Sequence, residues 1–520
     1  MDDSPFDLFV IGGGVNGCGI ARDAAGRGLR VALAEMGDVG GATSSASTKL
    51  IHGGLRYLEY FELRLVRESL AEREVLLRMM PHIARPMRFV LPYHAEMRFE
   101  GETPASRLLS LVMPWTKGRR PAWVIRLGLF LYDHLGGRRL LLGTRGLDLA
   151  RDPAGAALRP EYRRAFEYSD VWVQDARLVA LCARDAAERG AQVMVRTRVT
   201  GARRVGDLWV IDTDGGDGPR RFHARALVNA GGPWVERVLD GIEGVSPPAH
   251  VRLVRGSHIV VPRLFDHDRS YFLQGRDGRI VFAIPFEDEF TLIGTTEADH
   301  PDPDAPPHIS GAERDYLLDF VNGYFQRQLT TADIVWTYSG VRPLFDDGAG
   351  AARAATRDYV LALDNAGPPL LSVFGGKLTT FRRLSDHALA KLRPFLPVMG
   401  AGWTDRAPLP GGAFPVRQAK DRQDSLLQDY PFLSAGTARR LFRAYGMDAW
   451  QVLGEATGAD DLGHAFGAGL SEAEVRWLMT KEFARSADDV IWRRSKLGLY
   501  LTPAQVQALD DWMVERLASR

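Results

Sequence analysis

Residues 6–35 read FDLFVIGGGVNGCGIARDAAGRGLRVALAE, and they restrict the fold more than any other stretch. An apolar run at 6–11 leads into Gly12, Gly14 and Gly17, spaced G-x-G-x-x-G; residues 19–27 suit a helix, and a second apolar run at 29–34 closes at Glu35. Glycines in this strand-to-helix context have separate tasks. The first permits a tight turn, the second lets backbone approach a phosphate, and the third lets helix pack closely on strand. An acid at the end of the next strand then accepts hydrogen bonds from a ribose, while the pyrophosphate rests on the helix N-terminus. The spacing predicts a βαβ unit holding a dinucleotide; the alternative is a plain glycine turn with a surface glutamate. Whether the ligand is NAD or FAD stays open at this point.

A chain of 520 residues predicts about three domains. Lys and Arg total 66 against 65 Asp and Glu, which leaves no global field to hold nucleic acid, so any anion site must be local. Cys18 and Cys182 are too few for a disulfide framework or a cysteine metal site, no metal is expected, and a reducing, cytoplasmic setting fits. The first residues are acidic where a signal peptide is basic. The best candidate for a spanning helix, 123–135, is interrupted by Arg126 and Asp133, so membrane contact would be peripheral.

Residues 63–80 carry apolar side chains at near-helical spacing and predict a surface helix. Strand-like runs occur at 193–199, 208–211, 226–228, 259–261, 280–285 and 290–293, suggesting a mixed or antiparallel central sheet. A Pro and Asp cluster at 299–307 reads as a loop and 313–327 as a helix. The stretch APLPGGAF at 407–414 marks a boundary before a helical C-terminal domain. There, Ser471 with Glu474, and Thr502 with Pro503 and Gln505, read as helix N-termini.

Two further segments extend the nucleotide reading. ALVNAGG at 226–232 is a strand ending in small residues that would return to the same nucleotide, which a simple NAD domain does not need. Gly375, Gly376 and Lys377 precede a helical stretch from Leu378, whose N-terminus would match the negative charge that a reduced flavin develops. The alternative there is a capped helix with a solvated lysine.

The strings IGGGVNGCGIARDAAGRGL, TSSASTKLIHGGLRYLE, GSHIVVPR, WTYSGVRPL and SVFGGKLTTFR resemble those of the FAD-dependent (aerobic, respiratory) glycerol-3-phosphate dehydrogenases, within the wider D-amino-acid-oxidase-like flavoproteins. The likeness runs along almost the whole chain. It implies an α/β fold with a glutathione-reductase-like FAD-binding domain in segments 1–92, 165–240 and 338–395. A β-sheet substrate domain would comprise 93–164 and 241–337, with an insertion near 99–120, and a helical C-terminal domain would span 405–520. It further implies non-covalent FAD, the substrate sn-glycerol 3-phosphate, electron delivery to ubiquinone or another quinone, peripheral attachment to the inner face of the cytoplasmic membrane, and a homodimer.

By this resemblance Gly12, Gly14, Gly17, Glu35 and Gly231 hold the nucleotide half of FAD. Thr43, Ser44, Ser45, Ser47, Lys49, His52, Gly53, Gly54, Gly376, Lys377, Leu378 and Thr379 line the way to the flavin. Arg56, Tyr57, His258, Arg342, Lys377 and Thr380 surround the substrate. Guanidinium groups offer a phosphate dianion paired, charge-assisted hydrogen bonds, which makes Arg56 and Arg342 the expected clamp. His258 is the first choice of base, with Lys377 or Arg342 stabilising an alkoxide. Each has a structural alternative: Arg56 paired with Glu59, Arg342 on the surface, His258 hydrogen-bonded in the core, Arg255 superficial. A covalent flavin link at His52 is not expected. Residues 99–120, with an apolar centre bounded by basic side chains, read equally as a membrane contact or as an ordinary packed loop or helix. Rival functions are a related oxidase using O2 or acting on an amino acid, and a non-catalytic flavin or NAD adaptor.

Overall fold

The computed structural model describes residues 4–94, 97, 103–112, 120–137, 139–216, 218–246, 249–275, 278–346 and 358–519, leaving out the side chains of Arg56, Leu108, Leu109, Ser110 and Val112. Two large sheets organise the first three quarters of the chain. The first runs in the order Val360–Asp364, Leu370–Phe374, Arg220–Asn229, Phe6–Ile11, Val31–Ala34, Gln192–Met194. Its inner pairs are parallel. The hairpin of Thr197–Val205 and Leu208–Gly215 joins it through Arg220–Asn229.

Alternation along Phe6–Ile11 explains why nearly the whole strand is apolar. Leu8 and Val10 face a core shared with the helices Val15–Gly26, Asp175–Glu188 and Phe381–Leu392, whereas Phe9 and Ile11 face Trp209, Phe222 and Val235 on the other side. A strand covered on both faces has no polar side to show. The first helix starts at Val15 rather than residue 19, so the glycine motif forms its opening turn. The helix expected at 313–327 is Gly311–Asn322: Ser310 and Glu313 form a capping box at its start, and Gly323 ends it.

The second sheet is ordered Ala298–Asp299, His250–Pro262, Phe290–Gly294, Ile280–Phe286, Ser270–Gln274, Ala84–Tyr93, Arg164–Val173, Leu50–Ile51, with Trp336–Asp346 added along His250–Pro262. It is antiparallel except where Ser270–Gln274 meets Ala84–Tyr93. Here the sheet pairing cuts across the segment boundaries expected from sequence. Ala84–Tyr93, Arg164–Val173 and Trp336–Asp346 lie in this second sheet because their ladder partners do. Ile259 and Val261 pack under the helix Gly311–Asn322, and Val260 packs on the opposite core with Leu70, Leu129 and Tyr132.

Beyond residue 403 the helices Ala419–Asp429, Ala435–Tyr445, Glu472–Lys481 and Pro503–Ala518 enclose their own core around Leu441, Phe442, Leu478 and Met513. Ser471 accepts the Glu474 N–H, and Thr502 with Gln505 makes a full capping box with Pro503 in the first turn. No helix among the described residues is long and apolar enough to cross a membrane.

Candidate active site

The phosphate end of the site is built by backbone contact. A Cβ on Gly12 (φ +104°) would lie 2.5 Å from the Ala230 carbonyl oxygen, and one on Gly17 would lie 1.9 Å from the Gly12 carbonyl oxygen. Side chains are therefore excluded at both, and strand, turn and helix touch directly. Gly231 adjoins Gly12 and donates its N–H to Asn229 Oδ1. The helix N-cap, Gly14, offers no capping side chain, which suits an anion at the first turn. Ser44 Oγ accepts the Val15 N–H at 3.0 Å, and Ser45 Oγ donates to the Ala42 carbonyl.

Glu35 accepts the N–H groups of Gly13 (2.6 Å) and Gly37 (2.7 Å), one on each oxygen, keeping lone pairs for a ribose. Burial pushes its carboxyl pKa up, against the pull of the Gly37 and Gly13 N–H groups. Gly13 was invisible to the motif reading, yet a Cβ there would meet the Glu35 side chain at 2.7 Å.

The loop from Thr43 to Lys49 is secured from outside. Thr43 Oγ1 donates to the Val341 carbonyl at 2.6 Å. Ser47 donates through N–H and Oγ to Asp175 Oδ2, and Lys49, nearly fully buried, pairs with Asp175 Oδ1 at 2.8 Å. Ser47 and Lys49 thus brace the loop through a carboxylate that the sequence did not single out. Further on, Gly54 donates its N–H to Nδ1 of the exposed His52. Gly53 and Gly54 are explained by protein packing, since their Cβ positions fall 2.3 Å from Leu70 and from the Tyr57 ring respectively.

Tyr57, Arg342 and Lys377 converge. Lys377 Nζ sits 4.5 Å from the Tyr57 ring centroid, and burial pulls the Arg342 pKa below its ordinary value against the neighbouring Glu297 and Tyr57. Arg342 is half-buried; it donates to Thr295 Oγ1 at 3.2 Å, and Glu297 lies 3.6 Å from its Nη1. His258 is buried, its Nε2 3.0 Å from Thr48 Oγ1 and its ring stacked on Tyr338 at 4.6 Å. Room for that ring comes from Gly294, where a Cβ would lie 2.0 Å away. Burial, then Arg342 and Lys49, hold the His258 pKa well below the ordinary imidazole value, so the ring is neutral near pH 7. Thr48 and Tyr338 lie within the family strings but carry no signal of their own, and Thr295 and Glu297 fall outside every string, so nothing in the sequence marks them.

The helix expected at Leu378 begins at Phe381 instead. Lys377–Thr380 forms a turn, closed by the Thr380 N–H to the Lys377 carbonyl at 3.1 Å. Leu378 packs on the first core, Thr379 Oγ1 reaches the His52 carbonyl at 3.4 Å, and Thr380 is buried at the N-cap. Gly376 (φ +102°) abuts Asn16. Among the described residues, the buried atoms Asn16 Oδ1, Lys377 Nζ and His258 Nδ1 have no hydrogen-bond partner. Arg255 is not superficial: it pairs with Glu313 at 2.6 Å. Glu59 pairs with Arg120, and the expected role of the Arg56 side chain lies outside the described residues.

Residues 7–382 match the family model for FAD dependent oxidoreductases, and 403–518 match the C-terminal domain of alpha-glycerophosphate oxidase. The chain is 48% identical over 521 residues to the aerobic glycerol-3-phosphate dehydrogenase of Escherichia coli, covering 99% of this chain and 98% of the relative. The chain belongs to the FAD-dependent glycerol-3-phosphate dehydrogenase family. A D-erythritol 1-phosphate dehydrogenase of Brucella abortus is 47% identical across 97% of each chain. The fold matches a glycerol-3-phosphate dehydrogenase of Bacillus halodurans complexed with FAD, with a TM-score of 0.74, 24% identity and coverage of 100% of this chain and 92% of that one.

FAD fits the residues present. The side-chain-free seam at Gly12 and Gly17, the glycine N-cap of the first helix and Glu35 match the adenosine and pyrophosphate half. The orphaned polar atoms of Asn16 and Lys377 match a polar ring further along. Gly17→Ala should therefore abolish flavin retention, because the new methyl group meets backbone that cannot move aside. The flavin-to-protein absorbance ratio of the purified variant should fall below about a tenth of the parent's.

Proposed function

We propose that the chain oxidises sn-glycerol 3-phosphate at C2 to dihydroxyacetone phosphate and passes the electrons to a membrane quinone. The observation that carries this is the convergence of Arg342, Tyr57 and Lys377 beside a neutral, buried histidine. Arg342 grips the phosphate; its fork makes paired, charge-assisted hydrogen bonds that a lone ammonium does not. Lys377 balances negative charge that builds as the alcohol loses its proton. His258 takes that proton on Nε2, exchanging its contact with Thr48 for one with the C2 hydroxyl. Tyr338, whose hydroxyl donates to the Ser47 carbonyl at 2.8 Å, stacks on the imidazole and fixes its plane. Bound FAD supplies the two-electron acceptor, and the chain's own contribution is grip, aim and proton removal.

Anaerobic addition of glycerol 3-phosphate to the purified yellow protein should bleach the oxidised flavin band. No bleaching would sink the reading. A four-carbon substrate is the second reading, supported by the Brucella abortus relative. If D-erythritol 1-phosphate bleaches the flavin at lower concentration than glycerol 3-phosphate, that reading replaces the first. Peroxide formation matching substrate loss, without quinone reduction, would favour an oxidase.

Peripheral membrane attachment is part of the proposal. Trp123, Leu127, Phe130 and Leu131, at i, i+4, i+7 and i+8 of the helix Ala122–Leu135, are 51%, 51%, 56% and 37% exposed. Leu111 of the helix Pro104–Val112 is 82% exposed, while 99–102 and 113–119 of the candidate contact lie outside the described residues. An apolar stripe of this kind suits the interface of a bilayer. Replacing Trp123, Leu127 and Phe130 together by serine should weaken liposome co-sedimentation at least about tenfold and leave activity in detergent intact. Equal pelleting of parent and variant would remove this helix as the anchor.

A further inference from the structure

The turn that follows the nucleotide acid is gripped by the C-terminal domain. Glu35, Gly37 and Asp38 form this turn, and it touches the glycine loop through Glu35 on Gly13 and the Gly40 N–H on the Gly13 carbonyl. Asp38, 3% exposed, receives both terminal nitrogens of Arg494 at 2.7 Å and Nε of Arg493 at 2.6 Å. Arg494 has a fully buried side chain and also holds the Glu482 carbonyl at 2.5 Å. On the other flank, Arg196 donates its backbone N–H to the Gly37 carbonyl and its guanidinium to Asp489 at 2.9 Å. Asp489, Arg493 and Arg494 occupy one short segment, so that segment holds both sides of the ribose-binding turn.

Docking two domains does not require this arrangement. Taking these charges out of water is costly, and an apolar contact of similar size would dock at least as well. What a bidentate arginine-carboxylate pair adds is a fixed geometry. We infer that Arg493 and Arg494 are positioning residues for FAD, acting through Asp38 to hold Glu35 against the ribose. Cofactor affinity and domain docking are then linked: FAD strengthens the grip, and the grip strengthens FAD binding. The inference rests on FAD occupying the Glu35 end of the site.

The experiment is FAD titration of the full-length apoprotein, followed by flavin fluorescence. Asp38→Asn should raise the FAD dissociation constant about tenfold or more, and Arg494→Lys, which keeps charge but not the fork, should fall between variant and parent. At saturating FAD, kcat and KM for glycerol 3-phosphate should match the parent in both. Arg196→Ala, at a partly exposed position, should raise the constant several-fold and decides the matter if Asp38→Asn does not fold. A dissociation constant within twofold of the parent's in the folded variants, even with a lower melting temperature, overturns the inference. Failure of the parent apoprotein itself to bind FAD would instead overturn the cofactor site.

Discussion

Replacing His258 by glutamine should lower kcat by about two to four orders of magnitude while the protein stays yellow, the range expected when a positioned general base is removed. Glutamine fills similar space beside Tyr338 and can still meet Thr48 Oγ1, so the packing survives and only the proton acceptor goes. The pH profile gives a second readout. Because burial, Arg342 and Lys49 hold the imidazole pKa below its ordinary value, the neutral, proton-accepting form prevails near pH 7. Activity of the parent should therefore fall only as pH drops below that ordinary value, and the glutamine variant should lose this dependence. The substrate phosphate ionises in the same region, near pH 6, and its contribution remains in the variant. A variant with parental kcat would assign proton removal to another group.

Arg342→Ala should have its largest effect on kcat/KM for glycerol 3-phosphate, a loss of about 2–4 kcal/mol or roughly thirty- to a thousandfold. The guanidinium already lies over Gly256, where a Cβ would come within 2.4 Å of Nη2, and Thr295 and Glu297 hold it there. Positioning before the ligand arrives reduces the ordering entropy that binding must overcome. Glycerol distinguishes phosphate recognition from general damage. With this unphosphorylated alcohol, parent and variant should be equally poor. If Arg342→Ala lost as much activity on glycerol as on the phosphoester, its role would be in the chemistry or the fold rather than in grip.

What the sequence made legible was local. Gly12, Gly14, Gly17 and Glu35 sit within one βαβ unit, where spacing along the chain translates directly into spacing in the fold. The parts hidden from sequence depend on pairing between distant segments. No pattern in 84–93 or 164–173 says which sheet they join, because ladder partners decide it. Likewise Arg255 looked free because its partner Glu313 belongs to a helix more than fifty residues on. Asp175, which braces Ser47 and Lys49, opens a helix and reads as an ordinary first-turn acid. Gly294 resembles any strand-end glycine until the His258 ring is seen to fill the space beside it. At the substrate end, the family strings brought forward Tyr57 and Arg342, the latter a residue that without them reads as a surface arginine before Pro343.

The parallel sheet draws on residues near 6, 31, 192, 220 and 370, and the turn beside Glu35 is fastened by Arg493 and Arg494. A ribosome must therefore release almost the entire polypeptide before these strands and that fastening can assemble, and sequence-distant pairing of this sort is slow. Until then the first βαβ unit waits without its neighbours, its apolar surfaces open to chaperones and proteases. A nonsense codon anywhere before residue 494 would yield a product with an incomplete hold on its nucleotide.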